Sequence, residues 1–141
     1  MRPIRLSLQA FGPFATTEVV DFRSALETGL FGIYGQTGAG KSTLFSAMSF
    51  ALFGAPTKTD QEPRSLRSDH SAPDLPTEVE FVFELGAKAY LIRRRPVQER
   101  PKARGEGTTE DAAEASLFEV TGIPVDTLGP SQPGRVIAEK K

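Results

Sequence analysis

Apolar and polar residues alternate from the start of the chain. Ile4, Leu6 and Leu8 are separated by Arg5, Ser7 and Gln9, the two-residue period of a strand with one buried face. Gly12-Pro13 breaks the run, and Glu18–Phe22 predicts a second strand, antiparallel to the first. Leu30-Phe31-Gly32-Ile33-Tyr34 is short and mostly apolar, as expected of a buried central strand, and a Gly-rich turn follows at once. From Lys41 the period changes. Leu44, Ala47, Met48, Ala51 and Leu52 fall on one helical stripe, which Gly54 and Pro56 terminate. Phe45, Phe50 and Phe53 widen that apolar surface and are expected to pack the core, as are Phe11 and Phe14, for which an adenine platform is the alternative reading.

The stretch 54–77 carries Pro56, Pro63, Pro73 and Pro76 and predicts a long polar loop. Thr77–Leu85 alternates again, Val79, Phe81, Phe83 and Leu85 against Glu78, Glu80 and Glu84. Gly86 then turns the chain into Ala89–Arg95, giving a hairpin. Residues 96–114, rich in Pro, Gly and charge, predict a partly disordered loop, and Ser116–Val120 a third meander strand. No repeat or sustained heptad pattern interrupts this reading.

Composition narrows the function classes. At 141 residues, 38% hydrophobic and 25% charged, the chain has the make-up of one globular unit. Zero Cys excludes a disulfide framework, a thiolate metal site and a Cys nucleophile, and accords with a reducing cytoplasm. One His excludes a His-cluster metal site. No apolar run approaches the ~20 residues of a membrane helix, and no signal-peptide pattern opens the chain, so a cytoplasmic protein without a membrane partner is expected. The net charge of −1 hides a local asymmetry. Lys88, Arg93, Arg94, Arg95, Arg100, Lys102 and Arg104 stand against Glu99 alone, and the next segment, 105–126, is purely acidic. Such a patch suits a DNA backbone, with Arg93, Arg95, Lys102 and Arg104 as candidate contacts; it equally suits a solvated hairpin edge. Alternation puts Arg93 and Arg95 on one face and Arg94 on the other.

The chemistry concentrates in Gly35-Gln36-Thr37-Gly38-Ala39-Gly40-Lys41-Ser42-Thr43, a G-x-x-x-x-G-K-[ST] loop between an apolar run and a helix. Gly35, Gly38 and Gly40 let backbone N–H groups wrap a phosphate with no side chain in the way. The helix N-terminus adds unpaired N–H groups and a positive dipole end. Lys41 is the expected catalytic cation on the β/γ-phosphates, Ser42 a hydroxyl ligand for Mg²⁺, and Thr43 a partner for the α-phosphate region. The loop therefore predicts ATP with Mg²⁺. No apolar strand closing in Asp-Glu follows: Val19-Val20-Asp21 is too short, and Val136-Ile137-Ala138-Glu139 lacks the Asp. Thr57-Lys58-Thr59-Asp60 and Asp126-Thr127-Leu128-Gly129 match GTPase patterns by letter, in reversed order and away from apolar strands, and are read as coincidence. The chain thus carries half of a phosphoryl-transfer site.

Phe11-Gly12-Pro13-Phe14, Val20-Asp21-Phe22, Gly32-Ile33-Tyr34-Gly35, Ser46–Gly54, Arg67-Ser68-Asp69-His70 and Arg100–Thr108 together resemble the SbcC family of SMC-like ABC ATPases. The resemblance covers essentially the whole chain; the phosphate loop is its generic part and the other segments its specific ones. It implies an α/β P-loop NTPase of ABC/SMC-like type, here an incomplete N-terminal lobe: antiparallel hairpins and a meander beside a strand–P-loop–helix unit. Within it, 1–54 would form the core strands and P-loop helix, 55–76 a polar loop, 77–120 the hairpin with its basic and acidic loop, and 121–141 a tail. The resemblance also implies a longer parent with a coiled coil, a zinc hook and a C-terminal half-head. Its partners would be that half-head, a second ATPase head joined on ATP, an SbcD-like nuclease subunit and double-stranded DNA ends. Many SMC-like relatives carry an Arg near position 12 that reaches nucleotide, a contact Gly12 does not make. The alternatives are another SMC-like or ABC ATPase (RecF-like, RecN-like or a transporter subunit) and a non-catalytic fragment. Arg67 reads either as a residue near nucleotide or DNA or as part of a polar surface loop.

Overall fold

Alternating sequence builds most of the molecule as antiparallel sheet. The computed structural model describes residues 1–57, 63–102, 106–129 and 134–140. Strand β1 (Arg2–Phe11) turns tightly into β2 (Phe14–Asp21), and β3 (Glu78–Leu85) lies on the other edge of β1. Strand β4 (Lys88–Arg95) folds back on β3 through Gly86, whose φ is 63°. Next come β5 (Gln98–Pro101) and β6 (Thr108–Asp111), a separate two-stranded ribbon. Strand β7 (Glu114–Glu119) returns beside β4, and β8 (Arg135–Lys140) beside β7. The large sheet runs β2-β1-β3-β4-β7-β8, every neighbouring pair antiparallel. Helix α1 (Lys41–Phe53) crosses one face over β1, β3 and β4.

The pleat sends alternate residues to opposite faces. On the helix side, Leu6, Leu8, Val79, Phe81, Phe83 and Ile92 meet Leu44, Ala47, Phe50 and Ala51. Aromatic contacts knit this layer: Phe11 to Phe50 at 6.1 Å between ring centroids, and Phe81 to Phe83 at 5.3 Å. Full burial of each large side chain is worth roughly 1.5–3 kcal/mol. The other face has a smaller apolar cluster of Ile4, Val82, Leu91, Phe118, Val120 and Leu128 at one end. Toward the other end of β3 and β4 it is ionic.

Several expectations need correction. Leu30–Tyr34 forms no strand: no described ladder includes it, and Leu30 and Tyr34 are 85% and 92% exposed. An apolar run becomes a buried strand only beside a neighbour that pairs its backbone, and this sheet ends at β2 and β8. Phe50 is buried as expected, whereas Phe45 and Phe53 are 55% and 78% exposed. Five residues advance a helix by about 140°, so Phe45 and Phe50 point to different sides. The described part of 96–114 is the ordered β5–β6 ribbon and the start of β7, held by backbone pairing that charge-rich composition does not reveal. The loop after α1 contains a 3-10 turn, Pro63–Leu66. Strand β8 had no sequence forecast, and β1 and β2 run longer than their alternation.

Candidate nucleotide-phosphate site

Gly40, with φ 84°, ends the loop and starts α1, and its carbonyl accepts from the N–H groups of Thr43 (3.0 Å) and Leu44 (3.3 Å). Gly38, at φ 88°, takes a backbone shape that side chains rarely adopt. Ala39 N–H donates to Gln36 O at 3.2 Å and closes the turn. Lys41 Nζ donates to Gly35 O at 2.7 Å and to Gln36 O at 2.6 Å. An ammonium has three donors, so two fix its position and one remains for a ligand. The first turn of α1 carries no acidic side chain, which leaves its positive end uncompensated there. Pro13, Thr37, Gly38, Gly40, Lys41, Ser42 and Thr43 line a cavity of about 360 Å³. A second cavity, about 250 Å³, continues past Ser42 and Thr43 to Phe11, Gly12, Pro13, Ser46 and Leu66. Among the described residues, no carboxylate lines either one. The arrangement presents directed N–H groups, one cation and the hydroxyls of Thr37, Ser42 and Thr43 to an open concavity, a donor set for an anion.

A family model described as "AAA domain" matches residues 5–123. The chain belongs to that family. It is also 48% identical over 117 residues to the C subunit of the SbcCD nuclease of Vibrio cholerae, a match covering 83% of this chain and 12% of the relative. The same protein of Lactococcus lactis is 44% identical over 117 residues, covering 83% and 11%. That of Staphylococcus aureus is 36% identical over 120 residues, covering 85% and 11%. The resemblance to SbcC is therefore borne out, and the chain spans about an eighth or less of the length of these relatives. An α/β chain with antiparallel strands fits a P-loop NTPase. No helix among the described residues is long and apolar enough to cross a membrane.

The candidate DNA residues lie apart from this cavity's lining. Arg93 and Arg95 share the face away from α1, as alternation predicts, but each faces a carboxylate. Arg93 Nε donates to Glu80 at 2.6 Å, and Arg95 Nε to Glu78 at 2.6 Å. Arg94, on the helix side, donates through Nε to Ala51 O at 2.9 Å, in the last turn of α1. A cation suits that helix end, although burial pulls the Arg94 pKa below its ordinary value. Lys102 is exposed at the end of β5, and Arg104 lies outside the described residues, as do Lys58, Thr59 and Asp60. Arg67 is a brace: its guanidinium donates to Leu75 O at 2.6 Å, Ala72 O at 2.8 Å and Thr77 Oγ1 at 3.2 Å.

Sequence reasoning brought position 12 near nucleotide only through the SMC-like resemblance, and missed its packing against the loop. Gly12-Pro13 was legible as a strand break, yet the turn they make packs on the phosphate loop. The signal available was a glycine beside a proline between two strands, which marks a turn without naming what it touches.

Proposed function

We propose that this chain is the phosphate-binding part of an SbcC-type ATPase head. It is an incomplete, ABC/SMC-like lobe spanning 1–141 that binds ATP with Mg²⁺. Within a longer protein it joins a C-terminal half-head, pairs with a second head on ATP and governs an SbcD-like nuclease subunit acting on double-stranded DNA ends. The supporting observation is the Gly35–Thr43 loop at the open N-terminus of α1, with Lys41 anchored and one of its donors left over. The residues fit the group. A side-chain carbon at Gly38 would meet nothing within 4 Å, and the described residues of the lining hold no negative charge to repel phosphate. Lys41 sets its charge against the β/γ-phosphates, the first N–H groups of α1 donate to the same anion, and Thr43 serves the α-phosphate region. Ser42 would hold Mg²⁺, which neutralises phosphate charge when bound. With no apolar strand closing in Asp-Glu in the sequence, and no carboxylate among the described residues of the lining, the chain alone binds nucleotide without turnover in this proposal.

The apolar side chains left in water support the half-head assembly. Leu30, Tyr34, Phe45 and Phe53 are exposed on the P-loop segment and on α1. A helix that is apolar on both sides belongs between two layers. DNA contact through Arg93, Arg95, Lys102 and Arg104 belongs to the same proposal, with unequal shares. Arg93 and Arg95 reach a phosphate only by exchanging Glu80 and Glu78 for it, whereas Lys102 needs no such exchange. Lys102→Ala therefore lowers the salt slope of duplex binding by up to ~0.9, and Arg93→Ala or Arg95→Ala by less.

Calorimetric titration of Mg·ATP into the purified chain tests the core of the reading. Lys41→Ala removes a charge-assisted contact worth roughly 1.5–3 kcal/mol, a loss of about 10- to 150-fold in affinity. Ser42→Ala lowers the magnesium dependence of binding instead. Unchanged affinity in Lys41→Ala would overturn the assignment, and magnesium-dependent turnover by the isolated chain would overturn the half-site reading.

A further inference from the structure

The β1–β2 turn meets the phosphate loop at two points, both set by the absence of a side chain. A carbon added at Gly12 would lie 2.9 Å from Thr43 Cγ2, and one added at Gly40 would lie 2.6 Å from the Phe14 ring. The turn thus rests on the first turn of α1 at Thr43, while the Phe14 ring covers the backbone of Gly40. Pro13, between them, lines both cavities.

The turn is itself held from behind. Ala10 has φ 48°, the one positive value outside glycine among the described residues. That conformation bends β1 where its register with β2 shifts between Gln9 and Phe11. Three bonds fix the bend: Ala10 O accepts from Ser68 N–H (2.9 Å) and Thr77 Oγ1 (3.1 Å), and Gly12 N–H donates to Leu66 O (2.8 Å). Thr77 is in turn locked to Gln98 by two bonds, Thr77 N–H to Oε1 at 2.6 Å and Nε2 to Thr77 O at 3.2 Å. An ordinary hairpin needs none of this: strand continuity alone would carry β1 into β2. The bend, its braces and the two bare-backbone contacts instead aim the turn at Gly40 and Thr43.

The geometry points to Gly12 and Phe14 as positioning residues for nucleotide, holding the phosphate loop in its binding shape through Thr43 and Gly40. The inference rests on the phosphate-site reading above. Gly12→Ala, with the added methyl against Thr43 Cγ2, displaces Thr43 from its place on the loop. Thr43→Ser keeps the hydroxyl and deletes that methyl. Phe14→Leu removes the ring from Gly40 and keeps an apolar side chain at the turn.

The experiment titrates Mg·ATP into the full chain for wild type, Lys41→Ala, Phe14→Leu, Thr43→Ser, and Gly12→Ala in both the wild-type and the Thr43→Ser backgrounds. Amide exchange is followed in parallel. Gly12→Ala is expected to weaken binding about tenfold in the wild-type background and by less than about threefold in the Thr43→Ser background, a coupling in the range for contacting residues. Backbone strain at position 12 is common to both backgrounds and cancels. Phe14→Leu is expected to speed exchange at residues 38–44 while leaving the centre of β3 and β4 unchanged, which a general loss of stability does not do. Equal losses for Gly12→Ala in both backgrounds, or wild-type affinity in Gly12→Ala and Phe14→Leu while Lys41→Ala loses binding, overturn the positioning role alone. A wild-type chain that binds no Mg·ATP, or binds it no better than Lys41→Ala, overturns the phosphate-site reading and this inference with it.

Discussion

The two faces of the central strands are made from interleaved residues of the same segments, yet they are held by different physics. On β3, Val79, Phe81 and Phe83 face α1, while Glu78 and Glu80 face away; on β4, Ile92 faces α1, while Arg93 and Arg95 face away. The helix side is an apolar layer, stabilised in proportion to the area removed from water rather than by paired charges. The far side ends in partly buried ion pairs: Arg93 with Glu80, and Arg95 with Glu78 and, at 3.8 Å, Glu114. Their worth depends on keeping both partners, since a charge left without its partner has lost solvent and gained nothing. One face therefore carries the helix that bears the phosphate loop. The other sets Arg93 and Arg95 against its own carboxylates, and net charge along the chain is a poor guide to the field that a partner meets.

Substitutions separate the two faces. The largest effect belongs to the helix side: Phe81→Ala empties a fully buried site and is expected to cost roughly 3–5 kcal/mol in chemical denaturation. Next comes the ionic side. Glu80→Gln weakens the partner of a guanidinium whose side chain is 18% exposed, and roughly 1–3 kcal/mol is expected. A loss as large as that of Phe81→Ala would erase the distinction between the faces.

A smaller, pH-dependent effect is expected where Arg23 ties β2 to the segment after β7. Its guanidinium donates to Asp21 (3.0 Å through Nε) and to Asp126 (2.9 Å), and hydrogen bonding from Arg23 depresses both carboxyl pKa values. Depressed carboxyls stabilise the fold above their ordinary pKa of about 3.9, and the contribution is lost as pH falls through the depressed values. Relative to the intrinsic exchange rate at each pH, protection of the Thr127 and Leu128 amides should thus fall below about pH 4 while that of β3 stays high; unchanged protection between pH 7 and 5 is part of the expectation. The smallest effect is on the outer side of α1. Phe53→Ser changes an exposed ring and is expected to move stability by no more than about 0.5 kcal/mol. A cost near that of Phe81→Ala would mean that the outer side of the helix is already packed in this chain.

Much of the fold was legible because alternation and helical period are local records of burial. The hairpin of β3 and β4, the return of β7, the limits of α1 and the phosphate loop each announce themselves within about a dozen residues. Leu30–Tyr34, Phe45 and Phe53 misled for one common reason: apolar character records that a residue is suited to burial, not what would cover it. The ribbon of β5 and β6 was missed for the opposite reason, since polar edge strands are defined by backbone pairing and leave little apolar signal, whereas the short apolar run of β8 lies on an exposed edge and shows no alternation.

At the candidate site the division is similar. The residue types of Gly35–Thr43 by themselves determine a loop that leaves backbone N–H groups free and a cation beside them, because glycine conformational freedom and the geometry of a helix start are local properties. Tertiary structure alone decided what stands behind that loop. Gly12 and Phe14 meet Thr43 and Gly40 across some thirty residues of chain only because β1 bends at Ala10 and is braced by Ser68 and Thr77. The charge of Arg93 and Arg95 was likewise settled by register. Sequence shows three arginines in a row, and only the pairing of β3 with β4 sets Glu80 opposite Arg93, leaves Glu78 within reach of Arg95 and turns Arg94 to the end of α1.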